Sequence, residues 1–91
     1  MYKKVAWSRF KKDMKLYKNN QRVLEELENI INMICLKVSL PPKNKDHELK
    51  GDFLWIRECH IFSDVLLIYE IDDKQKTVRF IRIGSHSDIF K

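Results

Sequence analysis

Residues 53–83 read FLWIRECHI-FS-DVLLIYEI-DDKQK-TVRFIRI, and the way this stretch breaks decides the fold. Three runs, Phe53–Ile61, Asp64–Ile71 and Thr77–Ile83, are rich in Ile, Val, Leu and aromatic residues, as buried strands are. The breaks between them, Phe62-Ser63 and Asp72-Asp73-Lys74-Gln75-Lys76, have hairpin lengths. The expectation is an antiparallel meander. In an up-down-up meander the end of the first strand, the start of the second and the end of the third share one edge of the sheet. Those positions hold His60, Asp64 and the segment Arg82-Ile83-Gly84-Ser85-His86. Side chains alternate faces with period two, so Glu58 and His60 share a parity. Phe80, Arg82 and His86 share one too if the strand stays extended, with Gly84 the place for a bend. Two histidines, a carboxylate and an arginine then converge on one small area.

Toward the N-terminus the period changes. From Gln21 to about Val38, an apolar face collects Val23, Leu27, Ile30, Ile31, Ile34 and Val38, with Leu24 beside it. Arg22, Glu25, Glu26 and Asn29 lie away from it, so this is an amphipathic helix. Asn20 is its expected N-cap. Leu40-Pro41-Pro42 is its stop, because the residue before a proline disfavours the helical region. From Arg9 to about Lys18 a shorter stripe carries Phe10, Met14 and Tyr17, with Ser8 placed to cap it. Lys3–Trp7 fits a short strand with Val5 and Trp7 on one face. Lys43 to Gly51 reads as a polar connector, with Gly51 turning into the meander, and Ser85 to Lys91 as a short tail. The expected architecture is α+β: one domain over residues 1–91, with a short N-terminal strand and two helices packed on one face of an antiparallel sheet that the meander completes.

Composition narrows the partners. With 44 % hydrophobic and 34 % charged residues the chain has the makeup of a globular domain. No apolar run reaches the roughly 18 residues of a membrane span, and Met1-Tyr2-Lys3-Lys4-Val5 does not begin a signal peptide, so no membrane partner and a cytoplasmic location are expected. Cys35 and Cys59 fit no metal or redox spacing and read as core thiols. The net charge is +5, and it is uneven. Residues 1 to 18 carry Lys3, Lys4, Arg9, Lys11, Lys12, Lys15 and Lys18 against the single acid Asp13. Such a stripe suits a polyanion, and equally a solvated helix face.

Histidine titrates near neutrality, so one can accept a proton while another donates it. Arginine offers a planar fork for phosphate oxygens. That set suits cleavage of RNA without a metal ion: a base takes the ribose 2′-hydroxyl proton, arginine stabilises the phosphorane oxygens, and an acid protonates the leaving 5′-oxygen. His86 is the candidate acid. His47, His60 and Asp64 are candidates for the base or for the group that orients it. Three histidines and an aspartate also raise the possibility of zinc, but no pair has the His-x-x-x-His spacing of a helical site. Glu58 and Arg82 equally read as a cross-strand ion pair.

The segments Asp46-His47-Glu48-Leu49-Lys50-Gly51, Arg57-Glu58-Cys59-His60, Asp64 before Val65-Leu66-Leu67-Ile68-Tyr69, and Arg82-Ile83-Gly84-Ser85-His86 with Ile89-Phe90 resemble the YafQ branch of the RelE/ParE toxin superfamily. That branch carries D-H-x-L-x-G, R-[DE]-x-H and R-x-G-[ST]-H segments and a final Leu/Ile-Phe. The resemblance is specific from Asp46 to Phe90; before that only the order of elements matches. It implies a RelE-like fold and a type II toxin that cuts mRNA, typically at the ribosome, and that a cognate antitoxin with an acidic tail holds inactive. By the same resemblance His47, His60, Asp64, Arg82, His86 and Phe90 fall on functional positions, and no metal or other cofactor is implied. Glu58, Lys11, Lys12 and Lys15 join Phe90 as candidate substrate-binding residues. One position departs: the branch often has tryptophan after the aspartate, where this chain has Val65. If that aromatic stacks on a base, this chain lacks the contact. Two alternatives stay open: a non-nucleolytic toxin of the same fold, like the gyrase-poisoning ParE branch, and a plain binding module.

Overall fold

The three apolar runs pair as their composition predicts. A computed structural model of the chain describes residues 1–49 and 55–90. Strands β1 (Lys3–Ala6), β2 (His47–Glu48), β3 (Ile56–Phe62), β4 (Val65–Asp72) and β5 (Thr77–Gly84) form one sheet in the order β1-β5-β4-β3-β2. β3, β4 and β5 make the antiparallel meander, with Cys59 opposite Leu67 and Leu67 opposite Ile83. Phe53 and Leu54, expected to begin the first meander strand, and the turn expected at Gly51 lie outside the described residues.

The sheet is antiparallel except at one edge. β1 runs parallel to β5, with Lys3 opposite Thr77 and Ala6 opposite Phe80. Three helices are described: α1 (Ser8–Met14), α2 (Gln21–Cys35) and α3 (His86–Ile89). Phe10 of α1 and Val23, Leu27, Ile30, Ile34 and Cys35 of α2 pack against Cys59, Ile61, Leu67, Tyr69, Val78 and Phe80 of the sheet. Burying each large apolar side chain in this layer contributes roughly 1.5–3 kcal/mol. Both thiols, Cys35 and Cys59, are buried there.

Several local expectations change for identifiable reasons. Asn20 caps α2 as expected, its side chain accepting the Val23 N–H at 3.2 Å. The helix stops at Cys35 and not at Val38. Lys37 is left-handed (φ 60°), with Lys37 N–H donated to Ile34 O and Val38 N–H to Met33 O, both at 3.0 Å. That pair of bonds closes the helix ahead of the prolines and leaves Val38 exposed. At α1 the capping position falls on Trp7, and Ser8 is the first helical residue. The α-helix also gives way at Lys15–Tyr17 to a 3₁₀ turn. The polar connector contains a second 3₁₀ turn, Pro42–Asn44, and the two residues of β2, while the expected tail coils into α3. Gly84 stays in β5 opposite Leu66; the chain turns at Ser85, which caps α3 by accepting the Asp88 N–H.

The last correction concerns faces. Register shifts between Ile68 and Tyr69, so that Tyr69 sits opposite Phe80 but Ile68 opposite Arg82. Ile81 is the extra residue of a β-bulge. It breaks the period-two count: Phe80 and Ile83 both enter the helix-side core, and Phe80 and Arg82 do not share a face.

Candidate active site

The face of the sheet away from α2 begins with β3. Cys59 and Ile61 point into the helix-side core, so Glu58 and His60 point the other way. Leu66 and Ile68 of β4 are buried but stand outside that core, as side chains on the opposite face must. Cross-strand register then lays out one row: His47 on β2, Glu58 on β3, Ile68 on β4 and Arg82 on β5. Strand spacing puts the Glu58 and Arg82 backbones roughly 10 Å apart, with Ile68 between them.

Glu58 is 6 % exposed and lies between two imidazoles. His47 Nε2 is 3.9 Å and His60 Nε2 3.8 Å from its Oε1. Both distances exceed a hydrogen bond, and Glu58 makes none with the described residues. His47 Nδ1 is 2.7 Å from the Lys45 carbonyl oxygen. A carbonyl only accepts, so Nδ1 carries the proton and the neutral ring keeps its lone pair on Nε2, toward Glu58.

A latch on the opposite face holds this histidine in place. Asp46 accepts two hydrogen bonds from Arg57, at 3.3 and 3.2 Å, and one from the Tyr69 hydroxyl. Burial works against the Arg57 charge, but Asp46 and Tyr69 outweigh it and keep the guanidinium above its ordinary value. Burial, and then Asp46, push the Tyr69 phenol up, so it stays a donor. Lys45, left-handed at φ 47°, lets the chain pass from the 3₁₀ turn into this anchored strand. Asn44 ties the same turn to β3, its Nδ2 donating to the His60 carbonyl at 2.7 Å.

Arg82 is anchored from the other side. Its Nε and Nη2 donate to Asp13 of α1 at 2.8 and 3.3 Å. Asp13 also accepts the Ile83 N–H at 3.1 Å and has Arg9 at 3.7 Å. The expected Glu58–Arg82 ion pair is not among the observed pairs; Asp13 takes the arginine instead. One edge of the guanidinium is thus engaged, and the Nη1–Nη2 edge stays available for a bidentate anion. Asp13 was legible in the sequence as a position: it shares the helix stripe of Phe10 and Tyr17, where an acid on a basic helix signals a buried partner.

α3 supplies the remaining groups. His86 is exposed at its first turn and packs against Phe90 in a tilted arrangement, ring centroids 4.9 Å apart. Asp64 is exposed in the β3–β4 turn, where with Asp88 and Asp13 it surrounds Tyr17; burial and then these three carboxylates raise the Tyr17 phenol. Lys11, Lys12 and Lys15 are exposed along α1 and its 3₁₀ extension. Val65 is 6 % exposed within the helix-side core, so at this position the chain has no side chain to offer a base. No set of three or more His, Cys, Asp or Glu among the described residues is placed to hold a metal ion. No described helix is long and apolar enough to cross a membrane.

Comparison with known proteins follows the same lines. Residues 2–91 match the family model described as bacterial toxin of type II toxin-antitoxin system, YafQ. The mRNA interferase toxin YafQ of Escherichia coli K12 is 32 % identical over 82 residues, which cover 89 % of this chain and 87 % of that protein. A crystal structure of a metal-bound toxin from Helicobacter pylori superposes with a TM-score of 0.91 at 37 % identity, covering 99 % of this chain and all of that one. A crystal structure of the Escherichia coli DinJ–YafQ complex gives a TM-score of 0.87 at 29 % identity, with both chains fully covered.

Proposed function

The chain belongs to the YafQ family of bacterial type II toxins, and from that premise we propose that it is an endoribonuclease of the mRNA interferase class that cuts RNA by attack of a ribose 2′-hydroxyl on the adjacent phosphate. The observation that carries the mechanism is Glu58, a buried carboxylate with an imidazole on either side, on the same sheet row as Arg82. His47 takes the 2′-hydroxyl proton on Nε2, and Glu58 stabilises the imidazolium that forms. The O2′–P bond forms as the P–O5′ bond breaks. The free edge of Arg82 receives the charge on the non-bridging oxygens. His86, held against Phe90, gives its proton to the leaving 5′-oxygen. His60 shares Glu58 with His47 and orders the carboxylate between them. Asp64 lies beside this end of the sheet and acts through the local field. The products are a 2′,3′-cyclic phosphate and a 5′-hydroxyl. No step of this mechanism is routed through a metal ion.

Lys11, Lys12 and Lys15 provide a basic face for RNA phosphates and for the acidic segment of a cognate antitoxin. The DinJ–YafQ complex supports the antitoxin part of this reading. The proposal includes action on mRNA at the ribosome, in the cytoplasm. A gyrase-poisoning toxin would need the fold but not the Glu58–histidine group.

His86→Ala tests the assignment. Cleavage of a purified RNA should fall by roughly 10²–10⁴-fold while circular dichroism and thermal melting stay unchanged, because the ring is exposed. A folded variant with undiminished activity would remove His86 from the mechanism.

A further inference from the structure

The open face of the sheet carries an apolar hollow that adjoins the chemistry above and shares Arg82 and Phe90 with it. Its volume is about 330 Å³, and Trp7, Ile68, Ile81, Arg82, Ile89 and Phe90 are among the residues lining it. Two of these are large aromatics turned toward water: Trp7 is 46 % and Phe90 41 % exposed. Neither is loosely held. Trp7 donates its backbone N–H to the Phe80 carbonyl at 3.0 Å, which fixes the junction of β1 and α1 to β5. Phe90 donates its backbone N–H to His86 O at 2.9 Å, and its ring packs at a tilt against the histidine. The bulge at Ile81 turns two consecutive residues, Ile81 and Arg82, toward the hollow. One rim is therefore the arginine that carries a free bidentate edge, and the walls are aromatic and aliphatic. A ligand matching this is a flat ring joined to an anion.

We propose that the hollow seats the base of the nucleotide adjoining the cleaved phosphate, with Trp7 as its stacking surface. The proposal rests on the ribonuclease reading above and adds a substrate-positioning residue to it. A base stacked on Trp7 leaves its own phosphate near Arg82, and Ile89, another lining residue, belongs to α3, the helix that carries His86. Stacking on one aromatic face is tolerant of base identity, because every base has such a face. The hollow thus fixes where the RNA sits more than which codon it reads.

Trp7 can report on this directly. It and Trp55 are the chain's two tryptophans, and Trp55 lines a different hollow with Glu70, Asp72 and Asp73. In the Trp55→Phe variant of the chain, a dinucleotide made uncleavable by 2′-O-methylation should quench Trp7 emission saturably. The same compound with abasic sugars should not. Binding is followed in parallel by the anisotropy of a labelled 2′-O-methyl oligonucleotide. Trp7→Ala should weaken it roughly 5- to 150-fold, the range of one base–aromatic stack, and Trp7→Phe should recover most of the loss. Anisotropy that reports binding while Trp7 emission stays unchanged would overturn the base seat and leave the ribonuclease reading intact. Absence of binding by both measurements would overturn both. If Trp7→Ala fails to fold, the quenching experiment on the Trp55→Phe chain still decides the matter.

Discussion

Asp13 and Glu58 are both carboxylates withdrawn almost wholly from water, 7 % and 6 % exposed, and the chain treats them in opposite ways. Asp13 is saturated: it takes two N–H groups of Arg82 and the Ile83 amide, with Arg9 beyond. Glu58 makes no hydrogen bond with the described residues, and two imidazole nitrogens stand just under 4 Å from it. A buried carboxylate that is fully bonded is part of the frame, and it holds an arginine at a fixed angle. A buried carboxylate that waits for a proton on a neighbouring histidine is part of the chemistry, since its best partner appears only when that ring becomes charged. Asp13 grips Arg82 and Glu58 shares its strand row, so the frame and the chemistry meet at Arg82.

The sharpest way to break this contrast is to remove each carboxylate in turn. Asp13→Ala leaves a largely buried guanidinium and a backbone N–H without their acceptor, a loss of about 3–5 kcal/mol. Denaturant unfolding should show that drop, and cleavage should fall with it as Arg82 loses its aim. A variant of native stability would mean that Arg82 is held by something else. Glu58→Gln should behave the other way. The shape is kept and no hydrogen bond with the described residues is lost, so stability should change by less than about 1 kcal/mol. The cleavage rate at saturating RNA should fall roughly 100-fold, within the usual range for acid–base assistance. Equal losses of stability in the two variants would erase the distinction.

How much of this was legible beforehand follows the same division. The meander, the α2 stripe and the Asn20 cap rest on local periodicity and capping chemistry, and they came through. Strand direction alone led to the expectation that His60, Asp64, Arg82 and His86 share one edge of the sheet; it did not place His47, which lay in the polar connector. What was not legible was long-range. The Asp13–Arg82 pair joins residues 69 positions apart, and the Tyr69–Asp46 bond joins residues 23 apart, so no local window contains either. The bulge at Ile81 defeated simple alternation, because an extra residue leaves no mark in a run of β-formers. The early stop of α2 was hidden for a related reason: the left-handed position is filled by Lys37, where glycine would have announced it.

A smaller effect separates the two faces of β3 at adjacent residues. Cys59 follows Glu58 but faces the core, and burial pushes its thiol up to about 12 from an ordinary 9.0. The folded chain keeps that proton where the unfolded chain releases it. The resulting stability is fully present below pH 9 and is lost as pH rises through 12. Over that window the native protein should lose about 1 kcal/mol per pH unit more than Cys59→Ala in denaturant titrations. Parallel slopes would show that Cys59 ionises freely and that this face of the strand is less dry than its packing implies.

The account stands most directly on what the enzyme does to a single phosphate. Purified protein is incubated in excess chelator with two RNAs, one native and one carrying a 2′-deoxy nucleotide on the 5′ side of a mapped cleavage site. The native RNA should be cut to a 2′,3′-cyclic phosphate and a 5′-hydroxyl, and the substituted phosphate should survive while other sites are cut. Cleavage at the deoxy position, or a 5′-phosphate on the product, would contradict attack by the 2′-hydroxyl and with it the roles given to His47, Glu58 and His86.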